Sequence, residues 1–132
     1  VSLNHKQSVS LIGVTQLTST SQDMLSNEIL INRPIKQVVS SYAHNALSAG
    51  LDGVVCSPLE VSEVKALCGK NLITVTPGIR FADSSSDDQI RITTPSKAKT
   101  LGSDYIVVGR PINKADNPLK AYYRCLEEFI DD

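Results

Sequence analysis

Ile73-Thr74-Val75-Thr76 is a continuous apolar and β-branched run that breaks at Pro77-Gly78 and presents Arg80 just past the break. Tyr105-Ile106-Val107-Val108 repeats the pattern, stopping at Gly109 and presenting Arg110. Runs of Val, Ile and Thr bounded by Gly and Pro are strand signals, and continuous rather than alternating apolarity is the mark of parallel strands buried on both faces. Two arginines at equivalent strand ends point to one anion site. Glycine allows an anion to approach the backbone, and a guanidinium grips it through two parallel hydrogen bonds.

The rest of the chain fits the same alternation. Val9 to Leu17 reads as a first strand that ends in the polar Thr18-Ser19-Thr20-Ser21, and a short helix is expected around Gln22 to Leu25. Pro34 opens a helix with Ile35, Val38, Val39, Tyr42, Ala46 and Leu47 at helical spacing, stopping at Gly50. Leu51 to Cys56 is a second strand, followed at once by Ser57-Pro58-Leu59-Glu60, a capping box that starts a helix running to Cys68 and closed by Gly69. After the third strand, Phe81 to Gln89 is too polar and serine-rich to pack and reads as a mobile loop. Thr94-Pro95 starts a helix that ends at Leu101-Gly102, and the fourth strand follows. Asn117-Pro118 starts the last helix, with Leu119, Tyr122, Tyr123, Leu126, Phe129 and Ile130 on one face. Gly50-x-Asp52-x-x-Val55 also echoes Gly102-x-Asp104-x-x-Val107.

Four repeats of strand then helix imply parallel strands with right-handed crossovers. A closed (β/α)8 barrel takes about 250 residues, and this chain has 132. The expected fold is therefore α/β, a TIM barrel of which residues 1–132 supply about the last four βα units, the C-terminal half of one domain.

Composition narrows the chemistry. A net charge of -1 gives no electrostatic case for nucleic acid or an acidic membrane surface, so anion binding must come from local arrangement. No stretch approaches the roughly 18 unbroken apolar residues of a membrane span, and no secretory signal pattern is seen at the N-terminus; a cytoplasmic location is expected. Cys56, Cys68 and Cys125 lack CxxC spacing and are expected to be buried free thiols. His5, His44, the Asp87-Asp88 pair and Ser84-Ser85-Ser86 are read as ordinary end, surface and loop residues. Asp52 and Asp104 precede strands at the end of a barrel that governs stability.

Leu17-Thr18-Ser19, Leu51-Asp52-Gly53-Val54-Val55-Cys56-Ser57, Thr76-Pro77-Gly78-Ile79-Arg80, Asp88-Gln89-x-Arg91-x-x-Thr94-Pro95 and Asp104-Tyr105-x-Val107-Val108-Gly109-Arg110-Pro111-Ile112, in this order and spacing, resemble the C-terminal half of the bacterial orotidine 5'-phosphate decarboxylase family. The resemblance covers residue 9 to about residue 130. It implies conversion of orotidine monophosphate (OMP) to uridine monophosphate (UMP) and carbon dioxide in de novo pyrimidine biosynthesis, without metal or organic cofactor, by a homodimer. It implies that Arg110 and the Gly109 backbone hold the phosphate with Arg80 and Gln89, and that Thr18 sits near the pyrimidine; Pro77 is read either as structural or as part of the pyrimidine wall.

The family's catalytic signature, an Asp-x-Lys-x-x-Asp set in which lysine supplies the proton and carboxylates crowd the departing carboxylate, has no match in this chain. Phe81 and Asp87 replace the family's usual proline and glycine. Two other readings stand beside this one. Another sugar-phosphate barrel enzyme would share the grip. A half-barrel without catalysis could bind phosphate or self-associate.

Overall fold

The computed structural model describes residues 9–83 and 91–130. Its elements are β1 (Ile12–Val14), α1 (Gln22–Asn27), α2 (Ile35–Ser48), β2 (Gly53–Val55), a 3-10 turn (Pro58–Glu60), α3 (Val61–Cys68), β3 (Ile73–Thr76), α4 (Pro95–Thr100), β4 (Tyr105–Ile106), α5 (Arg110–Asn113) and α6 (Pro118–Phe129). The strands are parallel and lie in the order β1-β2-β3-β4. Spatial order equals chain order. A doubly wound sheet would reverse at a switch point, whereas a sheet that always steps the same way is the arrangement that closes into a barrel.

The expected capping residues do their work. Ser57, Thr94 and Asn117 each accept a backbone N–H of the first turn through the side chain, with proline next in the chain, and Glu60 completes the box by accepting the Ser57 N–H at 2.9 Å. Every strand is shorter than its apolar run. The fourth shows why this matters little: the Val107 N–H still donates to the Thr76 carbonyl at 2.9 Å, so the chain stays alongside β3 beyond the last paired residue.

One face of the sheet is packed. Val54 and Cys56 meet Val39 and Ala43 of α2 and Val61 and Val64 of α3, all with 0 % exposure. Full burial of each valine side chain stabilises by roughly 1.5–3 kcal/mol. The other face is open. Register places Val14, Val55, Val75 and Tyr105 in one row, and its outer members Val14 and Tyr105 are 62 % and 59 % exposed. Among the described residues helices cover only one side, so the other face is left open, as it would be in half of a barrel.

The apolar positions of the helices divide between covered and open surfaces. In α2 the contact with α3 selects Val39, Ala43 and Ala46, while Tyr42 and Leu47 lie to the side and are exposed. In α6 the buried residues are Ala121 and Cys125, which pack with Phe81, whereas Leu119, Tyr122, Tyr123 and Ile130 are exposed and Leu126 and Phe129 half-buried. Tyr122, Leu126, Phe129 and Ile130 line a groove beside Tyr105 at the open β4 edge, so their apolar stripe has no covering element among the described residues. Cys68 is half-buried, while Cys56 and Cys125 are buried as expected.

Asp52 and Asp104 turn out to be equivalent. The Asp52 carboxylate accepts the Leu11 N–H at 2.6 Å, and the Asp104 carboxylate accepts the Thr74 N–H at 2.6 Å. Each aspartate thus fastens the start of its own strand to the strand before it. Each follows a glycine of positive φ, Gly50 at 81° and Gly102 at 91°.

Candidate functional site

The parallel strands deliver four loops to the same edge of the sheet. After β3 the chain turns at Gly78, whose φ of 81° is a backbone state that side chains with a Cβ rarely adopt. The turn sends Arg80 back into the protein. Its side chain is 7 % exposed, its Nη1 donates to the Ile79 carbonyl at 2.7 Å, and its Nε and Nη2 have no hydrogen-bond partner among the described residues. Burying a cation without satisfying its donors is costly, which makes this guanidinium a candidate for an anion partner.

Arg110 stands across the same cleft. It is the first residue of α5, a short helix absent from the sequence reading because Arg110-Pro111-Ile112-Asn113 carries no helical periodicity. The cleft measures about 880 Å³ and also receives Lys114, Lys120 and Arg124, opposed by three carboxylates. Gly109 precedes Arg110 with φ of -104°, outside the left-handed region, and a Cβ there would meet no atom within 4 Å. The protein's own packing does not require glycine at this position.

Thr18 lies past the end of β1 and is buried, with its carbonyl accepting the Arg91 N–H at 3.4 Å. Pro77 is half-buried between β3 and the Gly78 turn. Gln89 lies outside the described residues, as do Ser84 to Asp88. The structure therefore brings Arg80 and Arg110 together on one cleft, which Thr18 and Pro77 do not line.

Sequence reading gave no separate weight to Arg91, yet it is held at this edge through both side chain and backbone. Its Nη2 donates to the Leu17 carbonyl at 2.6 Å, its Nη1 pairs with the Glu60 carboxylate, and the Ser57 hydroxyl donates to its carbonyl at 3.2 Å. Burial pulls the Arg91 pKa below the usual guanidinium value. A lone cation between Ile90 and Ile92 was the available signal: in an apolar run it needs a buried carboxylate.

Phe81, at the position where the resemblance expects proline, is buried against Ala121 and Cys125, and the Arg124 guanidinium lies 4.1 Å from its ring centroid. Arg124 also donates to both oxygens of Asp83 at 3.0 Å and to Glu128 at 2.8 Å. The hydrogen bonds from Arg124 hold the Asp83 carboxyl below the ordinary carboxylate range. Proline could provide neither the ring nor the cation–π contact.

A parallel sheet stepping in one direction, with an arginine-lined cleft at the carboxyl ends of its strands, defines a β/α-barrel protein. Residues 3–125 match the Orotidine 5'-phosphate decarboxylase / HUMPS family, and the chain belongs to it. Orotidine 5'-phosphate decarboxylase of Staphylococcus saprophyticus is 53% identical over 126 residues, covering 96% of this chain and 55% of that protein. The crystal structure of the Lactobacillus acidophilus enzyme superposes with a TM-score of 0.76 at 44% identity, covering 92% of this chain and 49% of that one. The Pyrococcus horikoshii enzyme, at 20% identity and a TM-score of 0.64, shares the fold. These are TIM barrels, and the four βα units here correspond to about half of one. The chain likewise spans about half the length of the curated relatives it matches.

Proposed function

We propose that this chain forms the C-terminal half of a single barrel domain in an orotidine 5'-phosphate decarboxylase, and that its contribution is the grip on the substrate's phosphate. Family membership supports the reaction. The observation that carries the assignment of this half is Arg80, a buried guanidinium with two unpartnered nitrogens, sharing a cleft with Arg110.

In the proposed reaction the bond from the pyrimidine ring to the carboxylate breaks, carbon dioxide leaves, and the electron pair left on the ring carbon takes up a proton to give UMP. The groups that hold that proton and crowd the carboxylate belong to the Asp-x-Lys-x-x-Asp set, which is not in this chain. Arg80 and Arg110 neutralise the phosphate, the Gly109 backbone admits it, and Gln89 adds a further contact. Thr18 and Pro77 border the pyrimidine. The complete enzyme in this proposal is a cytoplasmic homodimer needing no metal or organic cofactor. Contacts to a part of the substrate remote from the chemistry accelerate the reaction when their binding energy is expressed in the transition state.

Arg110→Ala in the full-length protein tests the reading. Loss of charge-assisted contacts is expected to lower kcat/KM by about 30- to 1000-fold, equivalent to roughly 2–4 kcal/mol, followed by the absorbance change as OMP is consumed. An unchanged kcat/KM would remove Arg110 from the phosphate site.

A further inference from the structure

We propose that Arg91 is a positioning residue that holds the base-side loop carrying Thr18 and the phosphate-side turn carrying Arg80 in one fixed relation. The inference rests on the decarboxylase reading and adds to it a residue that touches neither end of the nucleotide.

The ends of β1 and β3 are not neighbours, because β2 lies between them. Two inter-strand spacings separate them by about 9.6 Å. Three extended residues reach about 10 Å, and the segment Arg91-Ile92-Thr93 makes this crossing. At its first residue, Arg91 holds the β1 side through its guanidinium on the Leu17 carbonyl and its N–H on the Thr18 carbonyl. At its third, the Thr93 N–H donates to the Gly78 carbonyl at 3.1 Å and the Arg80 N–H donates to the Thr93 carbonyl at 2.9 Å. Ile79 and Thr93 thereby form a parallel bridge, which adds a short rung beyond the end of β3.

The span is also pinned at its middle support, the turn after β2. Glu60 divides its carboxylate, one oxygen taking the Arg91 guanidinium and the other the Ser57 N–H. Ser57 returns a hydroxyl hydrogen bond to the Arg91 carbonyl. The side chain and backbone of Arg91 are thus both fixed to the same capping turn, and the Glu60 side chain is only 3 % exposed. A planar fork can serve the Leu17 carbonyl and the Glu60 carboxylate at once. A lysine ammonium on a flexible stem can keep the charge pair without fixing both partners.

Positioning predicts a result that a simple phosphate ligand does not give. In the full-length protein, Arg91→Lys is expected to stay folded and to lose at least tenfold in kcat/KM, since small misplacements of a bound substrate reach about 100-fold. Its competitive inhibition constants for uridine, which lacks phosphate, and for ribose 5-phosphate, which lacks the base, should both rise at least threefold. Arg80→Ala should raise the second constant only. Glu60→Gln, which keeps shape and removes the charge pair, should reproduce the double weakening and guards against an Arg91→Lys protein that does not fold. Weakening of only one fragment, or wild-type kcat/KM in both variants, would overturn the proposal. The unmutated protein serves as the control for the underlying reading: if it does not consume OMP, the decarboxylase assignment fails, whereas normal wild-type turnover with unaffected variants removes Arg91 alone.

Discussion

One oxygen of the Asp104 carboxylate accepts the Lys65 ammonium at 2.6 Å and also takes the N–H and hydroxyl of Thr74, at 2.6 Å and 2.8 Å. Lys65 in turn donates to the Lys70 and Leu72 carbonyls, so a single ion pair joins the end of α3, the start of β3 and the start of β4. Partial burial works against the charged carboxylate, but the bonds from Lys65 and Thr74 outweigh it and hold the Asp104 pKa below its ordinary 3.8.

That depression fixes a pH dependence. The unfolded chain takes up the proton first as pH falls, so the contribution of Asp104 is complete above about pH 4 and is lost as pH drops through the lower folded value. Asp104→Asn is expected to reduce stability at pH 7 by about 1–2 kcal/mol, the scale of a lost charge-assisted hydrogen bond. The difference from wild type should shrink towards zero as pH falls through that lower folded value. Urea unfolding at a series of pH values measures it, and a difference independent of pH would refute the role given to the carboxylate charge.

Cys56 makes a separate prediction from the packed side of the sheet. Its thiol has 0 % exposure, and burial pushes its pKa up to about 12, against the weaker opposing pull of Arg91 and Lys65. At pH 8 its thiolate fraction is then on the order of one in ten thousand, and the thiolate is the reactive form. Cys56 is therefore expected to resist iodoacetamide in the folded protein and to label fully after unfolding. Peptide mass spectrometry at short labelling times reads this directly, with the half-buried Cys68 labelling earlier. Labelling of Cys56 at the rate of an exposed thiol would contradict the packing described for β2.

The order of elements was legible because its signals are local: β-branched runs mark the strands, and Ser57-Pro58, Thr94-Pro95 and Asn117-Pro118 mark helix starts. The placement of Arg80 and Arg110 on one cleft was legible for the same reason, each following a strand and a glycine within a few residues. Arg91 was not, because its meaning lies in Leu17, 74 positions away, and in Glu60. Phe81 shows the reverse limit: a departure from the family pattern was visible, but its compensation by Arg124 on α6 required the fold.

Gly109 separates what the fold needs from what the ligand needs. A Cβ there would touch nothing within 4 Å, so Gly109→Ala adds no clash with the described residues. Stability should stay within about 1 kcal/mol of wild type. The added methyl would occupy the space beside the backbone that the proposed site reserves for the phosphate next to Arg110. The expected result in the full-length protein is therefore a split: a Tm close to that of wild type, together with UMP affinity reduced at least tenfold and uridine affinity unchanged. Thermal melts and competitive inhibition by the two ligands measure both halves. If Gly109→Ala binds UMP as wild type does, the phosphate does not approach this backbone and the grip must be rebuilt around Arg80. If it instead unfolds, the open space at Gly109 is filled in the complete protein, and glycine serves packing there.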